Sequence, residues 1–261
     1  MLYFHSWSGG KDSTASVILD HIHGLPRSKI IFSEVMFDKK RGISGELAEH
    51  IDFVKNRAIP KFKEWGFETE IVHSDLDYLD LFYHIRFKSK VPERNGKYAG
   101  WLVGGKCEAN RDLKIKPIKQ FYKQYTGQEY TEYVGIAIDE PKRLERLRGT
   151  NKVSLLERYD FTEQQAYDLC KEYDLLSPIY SFTNRGGCWF CPNQTIKEFA
   201  HTKEHYPELW EELEKLSHEP NIISQGFKWG KTFQQVTREV DEVLEQKRWA
   251  EAQMTIFDFL E

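Results

Sequence analysis

The sequence predicts an α/β fold, a parallel sheet with flanking helices followed by a helix-rich C-terminal metal or cluster module. Three observations carry this reading. Apolar, often β-branched runs at residues 2–7, 29–37 and 67–73 have strand character, and helical patterns at 12–22 and 44–65 alternate with them. A glycine-rich segment lies where the first strand meets the first helix. All four cysteines sit at or beyond position 107, two of them as a CxxC pair. Strand and helix in alternation favour parallel strands, with ligands held outside their carboxyl ends.

Further strands are predicted at 133–138 and 152–156, and further helices at 112–125 and 162–173. Thr162 followed three residues later by Gln165 forms a capping box for the helix carrying Cys170. Residues 175–185 contain Pro178 and Asn184 and read as extended loop. The helical patterns at 196–205, 206–216 and 233–252 complete the chain. No internal repeat or low-complexity linker interrupts it. The predicted organisation is a nucleotide-binding domain at 1–158 and a cysteine-containing, mainly helical module at 159–261.

With 261 residues, 40% hydrophobic and 30% charged, the chain can bury a sizeable core and is not of disordered composition. No apolar stretch approaches about 18 residues, and a glycine-rich loop occupies the place of a signal peptide, so a cytoplasmic protein with no membrane partner is expected. The net charge of -4 argues against a wholly basic nucleic-acid coat but leaves room for a local groove. Arg111, Lys114, Lys116, Lys119 and Lys123 form one basic run, and Lys142, Arg143, Arg146 and Arg148 another. Ordinary solvated helix faces account for both runs equally well.

The segment Ser8-Gly9-Gly10-Lys11-Asp12-Ser13 has the parts of an anion cradle. Two glycines let the backbone bend tightly, a helix start exposes unpaired N–H groups, and Lys11, Ser8 and Ser13 add a cation and hydroxyls. It is not a Walker A loop, because the four-residue spacing before Gly-Lys-Ser/Thr is missing. A plain glycine turn fits the same letters. The order resembles the SGGxDS loop of the N-type ATP pyrophosphatases, or PP-loop enzymes, whose fold is adenine nucleotide alpha hydrolase-like. That family includes adenylating sulfur-transfer enzymes and phosphoadenosine phosphosulfate (PAPS) reductases.

Cys188 and Cys191 can place two thiolates on one ion or cluster, and Cys107 and Cys170 would have to reach it through folding. In a cytoplasmic protein this pattern favours metal or redox chemistry over a disulfide, although a lone helical cysteine such as Cys170 also reads as packing. Four thiolates suit zinc or a four-iron cluster, and spacing does not choose between them. Gly187-Cys188-Trp189-Phe190-Cys191-Pro192, preceded by Leu176-Ser177-Pro178-Ile179-Tyr180, resembles the cysteine-bearing tail of PAPS reductase-like proteins and of the sulfur-transfer component of DNA phosphorothioation systems. The order Cys107, Cys170, Cys188, Cys191 is similar to that second group, which implies a 4Fe-4S cluster, with zinc or uncoordinated redox thiols as the alternatives. Gly105-Lys106-Cys107 with residues 113–118, and Gly135-Ile136-Ala137-Ile138-Asp139-Glu140 with Arg143 and Arg146, extend the resemblance across about residues 2–195. The Glu-Cys-Gly-(Leu/Ile)-His segment of the reductases is missing, since no cysteine follows Cys191.

The resemblance implies an ATP-dependent enzyme of sulfur transfer that forms AMP and pyrophosphate. ATP, or PAPS, would lie over Ser8, Gly9, Gly10, Lys11, Asp12 and Ser13. Lys11, Asp12 and Asp139 would be catalytic, with Mg²⁺ held through Asp12 or Asp139, and Arg143 and Arg146 would contact phosphate. A sulfur-donor protein and a DNA or tRNA substrate are the implied partners. PAPS reduction or sulfotransfer, and nucleotide binding without catalysis, remain the other readings. His5 and Trp7 flank the loop and face either an adenine pocket or the core. Trp189-Phe190 reads as a shield for the cluster, and Tyr206 and Trp210 as packing. The C-terminal Gln253-Met254-Thr255-Ile256-Phe257 resembles a sliding-clamp docking peptide and equally suits an anchor to the fold.

Overall fold

The computed structural model describes residues 1–104 and 107–258, with residues 254–258 as backbone. In chain order the strands are β1 (Leu2–Trp7), β2 (Lys29–Glu34), β3 (Met36–Asp38), β4 (Ile43–Ser44), β5 (Glu68–His73), β6 (Tyr130–Val134), β7 (Lys152–Val153), β8 (Gly226–Lys228) and β9 (Lys231–Thr232). The α-helices are α1 (Lys11–His23), α2 (Ala48–Asp52), α3 (Ile59–Glu64), α4 (Tyr78–Phe82), α5 (Lys116–Tyr122), α6 (Pro141–Leu144), α7 (Leu155–Arg158), α8 (Glu163–Glu172), α9 (Ile196–His205), α10 (Pro207–Ser217) and α11 (Phe233–Asp258).

Two compact units divide the chain: Met1–Asp77 with Asn110–Gly187, and Tyr78–Ala109 with Cys188–Glu261. This division falls between Gly187 and Cys188, whereas the sequence reading placed a boundary at 158. Helices α7 and α8 belong to the first unit because Leu155, Leu156, Ala166 and Leu169 share one buried cluster with Val17 and Ile18 of α1.

The first unit is an α/β domain built on a five-stranded sheet in the order β5-β2-β1-β6-β7, with all four pairings parallel. Side-chain alternation along β1 and β2 covers both faces. Trp7, Ile30 and Phe32 enter the cluster with α1, while Phe4 and Ile31 pack with Tyr122 of α5. The chain leaves the sheet centre in opposite directions, from β1 towards β2 and β5 and from β6 towards β7. The carboxyl ends of β1 and β6 therefore bracket a topological switch point, where such sheets open a crevice.

Several boundaries differ from the sequence reading for local reasons. The run 29–37 breaks after Glu34, and β6 ends at Val134 because Gly135 turns against α1. The run 152–156 leaves its strand at Ser154, whose hydroxyl caps α7 by accepting from the Glu157 N–H. Two π turns, Phe53–Ala58 and Asn110–Ile115, each end two residues ahead of a proline, Pro60 and Pro117. Proline lacks an N–H and crowds the carbonyl four residues back, and a wider turn relieves both conflicts. The expected capping box of Thr162 and Gln165 is present on α8.

The second unit gathers an aromatic core. Phe227 of β8 packs edge-on to Trp101 at 4.8 Å and lies 5.3 Å from Phe199 of α9, while Trp210 of α10 meets Phe233 of α11 at 5.0 Å. Tyr206 is less buried than Trp210, whose packing role matches the sequence reading. No helix among the described residues is long and apolar enough to cross a membrane.

Candidate functional site

Ser8 follows β1 directly, and Gly10 is the N-cap of α1. Between them Gly9 has φ +74°, and a Cβ there would come within 2.7 Å of the His50 ring. Glycine is required at this position on both counts. The two serines knit the loop: Ser13 Oγ donates to the Gly10 carbonyl at 2.9 Å and accepts from the Ser8 N–H at 3.2 Å. Gly135, just past β6, closes on the same helix start so tightly that a Cβ would stand 2.4 Å from the Ser13 nitrogen.

A cleft of about 460 Å³ opens over this loop, lined by Ser8, Gly10, Lys11, Asp12 and Ser13 together with groups from distant parts of the first unit. Its cations are Lys11, Lys114, Arg143 and Arg185, and its acids are Asp12, Glu46, Glu140 and Glu163. Lys11 Nζ lies 3.0 Å from Asp12 Oδ1 and 2.7 Å from Glu163 Oε2. Burial works against the Lys11 ammonium, but hydrogen bonds to Glu163 and Asp12 outweigh it and hold its pKa above the ordinary value. Burial also pushes the Asp12 carboxyl up, and the charges of Glu163 and Glu140 add to burial against the lowering effect of Lys11. Arg143 is paired with Glu140, and Lys114 stands 3.9 Å from Glu46. A cleft of paired charges of both signs at a helix N-terminus can receive a polyphosphate by exchanging its acids for phosphate oxygens, and can hold a divalent cation on the acids released.

Three groups around the loop were not among the site residues read from the sequence. The buried His50 ring contacts Ser177 Oγ at 2.8 Å and the Ser8 carbonyl at 3.4 Å, and burial lowers its pKa by disfavouring the cation. The tautomer that satisfies both contacts donates from Nε2 to Ser8 and accepts at Nδ1 from Ser177. Tyr180 Oη accepts the Lys11 N–H at 2.9 Å, and burial pushes its pKa up to about 12. Glu163 opens α8 immediately after the Thr162 cap, a local signal that could have marked it; His50 carried none.

The sequence-derived residues separate into those at the cleft and those elsewhere. Ser8, Gly10, Lys11, Asp12, Ser13 and Arg143 line it, with Gly9 shaping the loop from within, while Asp139 and Arg146 are not among its lining residues. Asp139 instead accepts the Glu163 N–H at 3.1 Å, and its neighbour Glu140 supplies the carboxylate at the cleft. His5 and Trp7 face the core. His5 Nε2 lies 2.8 Å from Asp20 Oδ2, and Trp7 Nε1 donates to Thr14 Oγ1 at 2.9 Å, so neither forms an adenine pocket.

Cys170 belongs to the first unit, where its buried thiol donates to the Lys11 carbonyl at 3.2 Å and burial raises its pKa. Cys107, Cys188 and Cys191 belong to the second. There the Tyr78 hydroxyl feels all three: burial comes first in raising its pKa, and the charges of Cys188, Cys191 and Cys107 add to it. The CxxC turn is braced by the Cys191 N–H on the Cys188 carbonyl at 3.0 Å and by Gln194 Nε2 on the same oxygen at 3.1 Å. Trp189 and Phe190 are buried, and Phe190 packs on Tyr78 at 4.0 Å. Three cysteines within one unit have the donor chemistry of a thiophilic ion or cluster. Among the described residues, no group of three or more His, Cys, Asp or Glu side chains stands arranged to hold a metal ion. The side chains of the clamp-like peptide from Met254 onward lie outside the described residues.

No family model matches the chain. An uncharacterized protein of Methanocaldococcus jannaschii is 25% identical over 260 residues, an alignment that takes in 93% of this chain. The chain spans 55% of the length of that curated relative.

Proposed function

We propose that the chain is an ATP-dependent adenylating enzyme of sulfur transfer, with the first unit's cleft as its nucleotide site. The observation that carries this reading is the Ser8–Ser13 loop at the switch point of the parallel sheet, pressed by Gly135 and lined by Lys11, Asp12, Arg143 and Glu140. The β- and γ-phosphates lie over Gly10 and the first turn of α1, and Lys11 leaves Asp12 and Glu163 to meet them. Arg143 moves from Glu140 to a phosphate oxygen. Asp12 and Glu140 are the residues that would hold Mg²⁺, which supplies charge neutralisation on the phosphates when bound. An acceptor oxygen attacks the α-phosphorus, the bond to the bridging oxygen breaks, and pyrophosphate leaves with the negative charge that Lys11 and the helix N-terminus stabilise.

Cys107, Cys188 and Cys191 are the residues that would hold a 4Fe-4S cluster or zinc, and such a group would supply sulfur chemistry or structural closure in the second unit. The sulfur donor and a DNA or tRNA acceptor complete the reading as partners. Radiolabelled ATP separates the alternatives. AMP and pyrophosphate in the presence of acceptor support adenylation, and ADP contradicts it. Release of adenosine 3′,5′-bisphosphate from PAPS would assign the chain to the reductase or sulfotransferase class, and binding without turnover of either nucleotide would make it a binding module.

A further inference from the structure

The second unit carries a groove of about 1240 Å³ that shares no lining residue with the first unit's cleft. Its lining combines Arg86, Lys88, Arg94, Lys228 and Lys231 with one acid, Glu108, in a chain whose net charge is -4. Arg86 pairs with Glu108 at 3.1 Å, Lys231 with Glu239 at 2.5 Å, and Lys228 donates to the carbonyls of Pro192 and Gln194. Lys88 and Arg94 are exposed and have no acid partner among the described residues. Both stand on a loop tied at its base by the Arg86 N–H to the Lys97 carbonyl, and within by the Ser89 N–H to Asn95 Oδ1.

Two aromatic side chains interleave with these cations. Trp229 is 81% exposed and Phe87 is 74% exposed, although both could have been polar without loss to the core. Trp229 occupies the tip of the β8–β9 hairpin, a place where glycine, asparagine or aspartate ordinarily sits. Its ring is steadied on one side by Gly104, where a Cβ would come within 3.3 Å of it. Trp101, also in the groove wall, is only 7% exposed, and its indole N–H has no acceptor among the described residues. That nitrogen has no surface open to the groove, so Trp101 supports the wall by packing on Phe82 and Phe227.

We propose that this groove binds single-stranded nucleic acid. Phosphates meet Lys88 and Arg94, and unpaired bases stack on Trp229 and Phe87. Exposed rings alternating with cations suit bases whose faces are free, and a duplex hides those faces. An acidic protein would match the charge but leave both rings without a flat partner. The inference stands on the groove alone and needs no ATP cleavage.

The test is fluorescence anisotropy with labelled oligothymidine and oligouridine of about twenty nucleotides, measured on the full chain without ATP. Single strands are expected to bind, with the matching duplex at least about tenfold weaker. Trp229→Ala and Phe87→Ala each weaken binding by about tenfold, and Lys88→Glu with Arg94→Glu also flattens the salt dependence, by about one to two in log-log slope. All four positions are exposed, so circular dichroism should report an unchanged fold. Absence of single-strand binding, equal binding of duplex, equal competition by polyglutamate, or indifference to both aromatic substitutions would overturn the proposal.

Discussion

A Cβ on Gly135 would lie 2.4 Å from the backbone nitrogen of Ser13, joining the end of β6 to the first turn of α1 at a distance only glycine permits. The contact is backbone to backbone, so no rotamer can relieve it. Gly135→Ala is expected to cost about 3 kcal/mol or more, since the helix start must move. Gly187→Ala, with open space and no positive φ, should be nearly neutral. Chemical denaturation of both variants checks the contrast, and equal stabilities would remove Gly135 as the clamp on the loop.

Lys11 is held by two carboxylates that must give it up to phosphate. Lys11→Met should leave Asp12 and Glu163 facing the nucleotide without their counter-ion and lower adenylation by about 10²- to 10³-fold. Asp139→Asn removes a charge but keeps an acceptor oxygen for the Glu163 N–H, and it lies outside the cleft lining, so its effect on turnover should be much smaller. A rate assay ranking Asp139→Asn at or below Lys11→Met would reverse the assignment.

Tyr180 Oη occupies the Lys11 N–H that a phosphate oxygen could otherwise use. Tyr180→Phe is expected to destabilise the nucleotide-free protein by about 1 kcal/mol, because a donor loses its partner. ATP should then raise the melting temperature of the variant more than that of the wild type. Equal thermal shifts would mean that the phenol and the phosphate do not compete.

His50 gives the chain a pH dependence. Its folded pKa lies below the ordinary 6.5 because burial disfavours the cation, so the unfolded state binds the proton first. Stability is therefore full above about pH 6.5 and falls as the pH drops below it, by about 1.4 kcal/mol per pH unit while the folded ring stays neutral. His5 shifts in the same direction for the same first cause. Urea titrations at about pH 7.5 and 5.5 should show the loss, with a shallower slope in His50→Gln. An unchanged slope in that variant would place the effect elsewhere.

Anaerobically purified protein is expected to carry iron and sulfide, or zinc, lost in Cys107→Ser, Cys188→Ser and Cys191→Ser. Cys170→Ser should keep its metal, because the thiol serves the Lys11 carbonyl and serine can donate there as well. Metal analysis with an absorption spectrum distinguishes the cases; loss of metal in Cys170→Ser would restore the four-ligand arrangement read from the sequence.

What the sequence determined by itself was local. The alternation of strand and helix, the loop after β1 and the Thr162 capping box each depend on a few neighbouring residues, whose backbone preferences act within a turn or two. The cleft was only half legible for that reason: Lys11, Asp12 and Arg143 sit in recognisable segments, Tyr180 and Lys114 stand in segments the sequence marked without tying them to the loop, and His50 arrives from a position whose spacing encodes nothing about it. Tertiary structure also decided where ambiguous residues lie. It turned His5 and Trp7 into the core, since β1 has a helix-covered face on each side, and it put Glu140 on the cleft wall while Asp139 accepts an N–H at the start of α8. The aromatic and basic residues of the second unit likewise become a groove only when 84–108 and 223–235 fold together, for a surface is a property of distant segments brought side by side.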